Sequence, residues 1–147
     1  MKTQKYRFFL TASYASLLLL CTIIASCKSN SVSPSTSATN SPVIANAANA
    51  FSFALDGNNF SSSYRYALTF TTDSVAIVVT SGNYATGKVN LSITDSAGMV
   101  VFQDSVLTNK VVAQAEPVNN VPKSCNIVCS DYSGSLVFTL SGQNGQK

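Results

Sequence analysis

Histidine and tryptophan are both absent from the 147 residues, and charged side chains make up only 10% of them. Without histidine, neither a Ser-His-Asp nor a Cys-His nucleophile can be assembled. No lysine stands three residues after a serine, which removes the S-x-x-K arrangement as well. Residues 51–142 lack tryptophan and a widely spaced cysteine pair, so no specific immunoglobulin family is implied. Acidic residues are scarce and begin late: Asp56, Asp73, Asp95, Asp104, Glu116 and Asp131 are the full set. Glycoside hydrolysis needs two facing carboxylates, so a carboxylate-based hydrolase stays open on these six and nothing in their spacing favours it. No catalytic residue, metal ligand set or cofactor is expected.

The amino terminus is rich in what the remaining chain lacks. Lys2, Lys5 and Arg7 precede a run from Phe8 to Ser26 without one charged side chain, the layout of a secretory signal peptide. The run closes on Ile24-Ala25-Ser26-Cys27. A branched aliphatic residue, two small residues and a cysteine in that order resemble the lipobox of bacterial lipoproteins. Small side chains let the backbone enter a narrow protease site, and only a thiol gives the thioether that carries diacylglycerol. The resemblance covers residues 1–27 and implies a signal peptide over 1–26, removal of that segment, and acylation of Cys27. Several acyl chains on one residue hold a protein to a bilayer far more firmly than one, at roughly 0.8 kcal/mol per buried CH₂. Lys28 stands where many inner-membrane lipoproteins carry aspartate, which points to the outer membrane of the cell envelope with the leaflet open.

Once the signal is removed, Lys28, Arg65, Lys88, Lys110, Lys123 and Lys147 balance the six acids. A surface near neutrality lacks the basic patch that a run of phosphates requires, so nucleic acid is excluded as a partner. Residues 27–50 are dominated by Ser, Thr, Asn, Ala and Pro, too poor in large apolar side chains to offset the entropy of ordering. They read as a disordered tether reaching roughly 25 Å, and 143–147 read as a disordered tail.

Between them, residues 51–142 carry a period of two. Tyr64, Tyr66, Leu68 and Phe70 alternate with smaller or polar residues, as do Val89, Leu91 and Ile93, and again Leu136, Phe138 and Leu140. Further strands are expected at Phe51 to Leu55, Val75 to Thr80, Met99 to Val106 and Lys110 to Ala115. Turns are expected at Asp56-Gly57-Asn58, Ser81-Gly82-Asn83, Ser96-Ala97-Gly98 and Ser133-Gly134. About seven short strands predict an all-β, antiparallel β-sandwich, Ig-like in arrangement, with a small closed β-barrel as the alternative. Residues 72–79 and 94–101 match at five of eight positions, one turn-into-strand solution used twice.

Three local motifs remain. Cys125 and Cys129 are expected to form a disulfide, which demands a turn between them, because an extended strand would hold their Cα atoms about 13 Å apart and a bridge needs roughly 4.4 to 6.8 Å. The competing arrangement has both thiols pointing inward from a strand that pairs with Ser135 to Leu140 across a turn at Asp131 to Gly134. Gly82 to Lys88 fits G-x-x-x-x-G-K, but Val89 replaces the Ser or Thr and a strand follows where a helix is needed, so a hairpin loop is expected. Asp73-Ser74, Asp95-Ser96 and Asp104-Ser105 resemble O-glycosylation acceptors of some Gram-negative envelope proteins, which makes Ser74, Ser96 and Ser105 candidate modification sites; the structural alternative is turn initiation.

These features lead to a membrane-anchored envelope lipoprotein with a non-enzymatic structural or adhesive domain. The expected partners are the lipid bilayer, through acylated Cys27, and an envelope protein or glycan. A glycan- or protein-binding module is the alternative, with Tyr64, Tyr66, Tyr84 or Tyr132 as stacking surfaces. Ser81 to Tyr84 slightly resembles the inhibitory loop of lipoprotein lysozyme inhibitors.

Overall fold

The computed structural model describes residues 38–117 and 120–143. Cys27, the signal, the tether upstream of Ala38 and the tail from Asn144 onward lie outside the described residues. The described chain is all-β and antiparallel: β1 (Val43–Ala47), β2 (Ala50–Ala67), β3 (Ser74–Thr94), β4 (Val100–Val106), β5 (Lys110–Pro117) and β6 (Ser124–Gly142). They form one sheet in the order β1-β2-β6-β3-β4, with β5 also paired to β3.

The expected short strands fuse. Phe51 to Leu55 and Tyr64 to Ala67 belong to the single strand β2, Val75 to Thr80 and Lys88 to Thr94 to β3, and Cys125 to Cys129 and Leu136 to Leu140 to β6. Three expected turns are therefore corrected to bends inside strands. In β2 the register slips between Gly57 and Ser62, and in β3 it slips between Gly82 and Lys88. Left-handed residues mark the same level: Asn59, Asn83, Gly87 and Asp131 all have positive φ. A bulge needs an unusual backbone conformation just as a hairpin does, so local composition does not separate the two. Of the four expected turns, only Ser96-Ala97-Gly98 reverses the chain, between β3 and β4.

The bends fold the sheet over itself. Fully extended, Phe51 to Tyr66 would span about 50 Å, yet their ring centroids are 5.4 Å apart, and those of Phe53 and Tyr64 are 5.8 Å apart. One strand thus touches itself across the crease. The first half of the sheet pairs β1, the start of β2, the end of β6, the start of β3, and β5. The second half pairs the end of β2, the start of β6, the end of β3, and β4.

Between the halves lies the core, built by period-two alternation. Phe51, Phe53 and Leu55 come from β2, Val75, Ile77 and Val79 from β3, and Leu136, Phe138 and Leu140 from β6, all nearly inaccessible. The second half adds Val89, Leu91, Ile93, Cys125, Ile127 and Cys129. Leu68 and Phe70 are buried as expected, but from the loop after β2, where Leu68 N–H donates to the Lys123 carbonyl and Lys123 Nζ donates to that of Phe70.

β1 corrects the expected boundary of the tether. Val43 to Ala47 form an edge strand on β2, with Val43 opposite Ala54 and Ala47 opposite Ala50. Val43 and Ile44 favour a strand, whereas Ala45 to Ala47 carry little strand preference and are held by pairing with β2. Asn40 secures the entry: its N–H donates to the Asp56 carbonyl, and its side-chain amide exchanges two hydrogen bonds with the backbone of Asn58, at 2.7 and 3.0 Å.

Candidate functional site

At the crease, polar groups replace the apolar layer. Tyr132 is wholly buried there; its hydroxyl donates to the Ser135 carbonyl at 2.9 Å and lies 3.3 Å from Ser81 Oγ. Ser135 Oγ donates to the Gly82 carbonyl, and Tyr84 donates to that of Gly87. Burial raises the pKa of the Tyr132 hydroxyl, and the Ser81 hydrogen bond partly offsets this. The phosphate-loop look-alike, Gly82 to Lys88, lies in this bend rather than in a hairpin loop, and β3 continues through it. The lysozyme-inhibitor-like Ser81 to Tyr84 sits in the same bend, with Ser81 buried.

The tyrosines offered as stacking surfaces under the glycan-binding alternative turn inward. Tyr132 has no exposure, and Tyr64, Tyr66 and Tyr84 pack on the core. Tyr64 and Tyr66 stack on each other at 6.1 Å while facing Phe53 and Phe51. Residues two apart share a strand face, and here that face is the inner one.

Cys125 and Cys129 are free and buried, so the expected bridge is corrected. Both belong to β6, whose extended backbone holds them too far apart to bond. Nor does their strand pair with Ser135 to Leu140: Cys125 lies opposite Tyr66 and Ile93, and Cys129 opposite Ser62 and Val89. Burial pushes the Cys125 thiol up to about 12 and the Cys129 thiol to about 11. Neither is an effective nucleophile near neutrality, since the thiolate is the reactive form.

The three Asp-Ser pairs occupy different settings. Asp95 is a turn former, its Oδ1 accepting from Ala97 and Met99 N–H at 2.8 and 2.9 Å, and it leaves Ser96 exposed. Ser74 opens β3 and is half-buried. Ser105 is exposed on β4, donating to Asn90 Oδ1 at 2.9 Å.

Asp104 points inward from β4, since it pairs with core residue Leu91. Lys110 Nζ reaches it at 2.6 Å and also donates to the Ser105 carbonyl. Oδ2 of Asp104 is buried without a hydrogen-bond partner among the described residues. Composition gave no sign of this pair; the alternation from Phe102 to Val106 places Asp104 inward once the strand is known. Among the described residues, no group of three His, Cys, Asp or Glu side chains could hold a metal ion.

The two outer faces differ in chemistry. Across the first half runs the row Val43, Ala54, Val137, Thr80, Val111, small and uncharged. Across the second runs Arg65, Asn126, Ser92, Gln103, a line of hydrogen-bonding groups. Neither a known protein family nor a curated protein sequence matches the chain.

Proposed function

We propose that the chain is a membrane-anchored cell-envelope lipoprotein whose β-domain is a non-enzymatic structural or adhesive module. The observation that carries the anchor is the tetrapeptide Ile24 to Cys27 behind a basic, then apolar, leader. Three features support the contact role. Asp95 and Asp104 are engaged in a turn and an ion pair, both free thiols are buried, and the outer faces are broad and nearly uncharged. The facing halves of the folded sheet support a sandwich-like scaffold. Outer-membrane placement follows from Lys28 alone.

In cell fractionation, wild-type protein is expected in the membrane fraction and Cys27→Ala in the soluble fraction; continued membrane attachment of the variant contradicts the anchor. Crosslinking in the intact envelope is expected to capture a defined macromolecule on the wild type, and its absence contradicts the contact role. A glycan partner is the second reading, favoured by the row Arg65, Asn126, Ser92, Gln103, whose amides and hydroxyls suit sugar hydroxyls better than apolar protein surface.

A further inference from the structure

The two halves of the sheet are unequal beside β2. Its first half is paired on both edges from Phe51 to Ala54, by β1 and by β6, whereas Phe60 to Tyr66 pairs with β6 alone among the described residues. An unpaired edge offers a row of backbone N–H and C=O groups to any extended chain, and proteins normally blunt it. The other edges are blunted: β4 and β5 by the inward pair Asp104 and Lys110, β1 by its length of five residues. Phe60 to Tyr66 has no proline and no inward charge. On the same side, Ile44 of β1 pairs with fully buried Phe53, so it faces the core, yet it is 38% exposed. The second half of the sheet thus ends one strand short of the first.

We propose that the free edge of β2 from Phe60 to Tyr66 is a strand-addition site for an extended segment of another polypeptide. The incoming strand alternates apolar side chains, which cover Ile44 and the Tyr64 and Tyr66 rings, with outward polar ones, of which one is acidic and lies beside exposed Arg65. Main-chain hydrogen bonds supply affinity and the alternate side chains supply selection. The acidic requirement points away from this chain's own upstream residues, since residues 1–37 contain no Asp or Glu. The proposal rests on reading the domain as a contact module and names the contact.

The test uses the purified full-length chain and a short synthetic peptide in which valine alternates with threonine and one central threonine is replaced by glutamate. Amide hydrogen exchange is expected to slow on alternate residues of Phe60 to Tyr66 when the peptide binds. Arg65→Glu is expected to weaken binding about tenfold, with recovery when the peptide glutamate becomes lysine, and Ile44→Lys to weaken it without loss of fold. Protection appearing elsewhere, or equal binding to Arg65→Glu, overturns the proposal. Full protection of Phe60 to Tyr66 before peptide is added also overturns it, because the edge is then occupied from within. None of these outcomes depends on Cys27, so a failed anchor and a failed edge are told apart.

Discussion

The two ends of β2 belong to one strand and live in different surroundings. Phe51 to Leu55 are buried without a break, because β6 flanks them throughout, β1 flanks them as far as Ala54, and the facing half covers them. From Phe60 to Ala67 burial alternates between half-buried and exposed, with one neighbouring strand among the described residues. Continuity of the backbone does not set the environment; the number of partners does. A strand can carry stability at one end and remain available for contact at the other.

The largest way to break that contrast is to empty the closed end. Phe53→Ala removes a fully buried ring and is expected to cost about 3–5 kcal/mol, whereas Tyr64→Ala at the open end should cost about 1–2 kcal/mol. Denaturant unfolding checks both. Because the two rings touch at 5.8 Å, the double variant should lose less than the sum. Equal single losses would erase the difference between the ends.

Gly57 divides them. A Cβ added there would meet Tyr132 Cδ1 and the Tyr132 carbonyl, both at 2.9 Å, so Gly57→Ala should lose about 2 kcal/mol through overpacking at the crease. At the β3–β4 turn, Gly98 has φ +80 and nothing near its missing Cβ; Gly98→Ala should cost about 1 kcal/mol, from backbone conformation alone.

Alkaline titration probes the interior beneath the open end. Cys125 and Cys129 rise in the fold from 9.0 to about 12 and about 11, so the unfolded chain loses its thiol protons first. Their contribution to stability is intact below pH 9 and is lost as pH rises through 11 to 12. Cys125→Ala/Cys129→Ala should flatten that decline in a series of thermal melts at increasing pH. The smallest expected effect is that of Arg65→Glu, less than about 0.5 kcal/mol, because its side chain is exposed at the open end.

Much of the core was legible from alternation. Phe51, Tyr66, Val89, Leu136 and their neighbours all face inward as the period of two requires. The crease was not, because Gly57, Gly82 and Gly134 carry the residue signals of hairpin turns, and their true partners lie tens of residues away. Val43 to Ala47 escaped notice because Val43-Ile44 is too short a run to signal a strand and Ala45 to Ala47 become strand only beside β2. Tyr64 and Tyr66 face inward as their alternation requires, whereas Tyr84 and Tyr132, expected in a loop and a turn, pack inward at the crease. The proposed lipidation site rests on the sequence alone, and the proposed β2 edge site only on the pairing.

Hydrogen exchange of the peptide-free, full-length chain measures the central contrast directly. Amides from Phe51 to Leu55 should exchange only through global unfolding, while alternate amides from Phe60 to Tyr66, those directed away from β6, should exchange through local access at far lower free energy. Uniform protection along β2 would contradict an edge open at one end only.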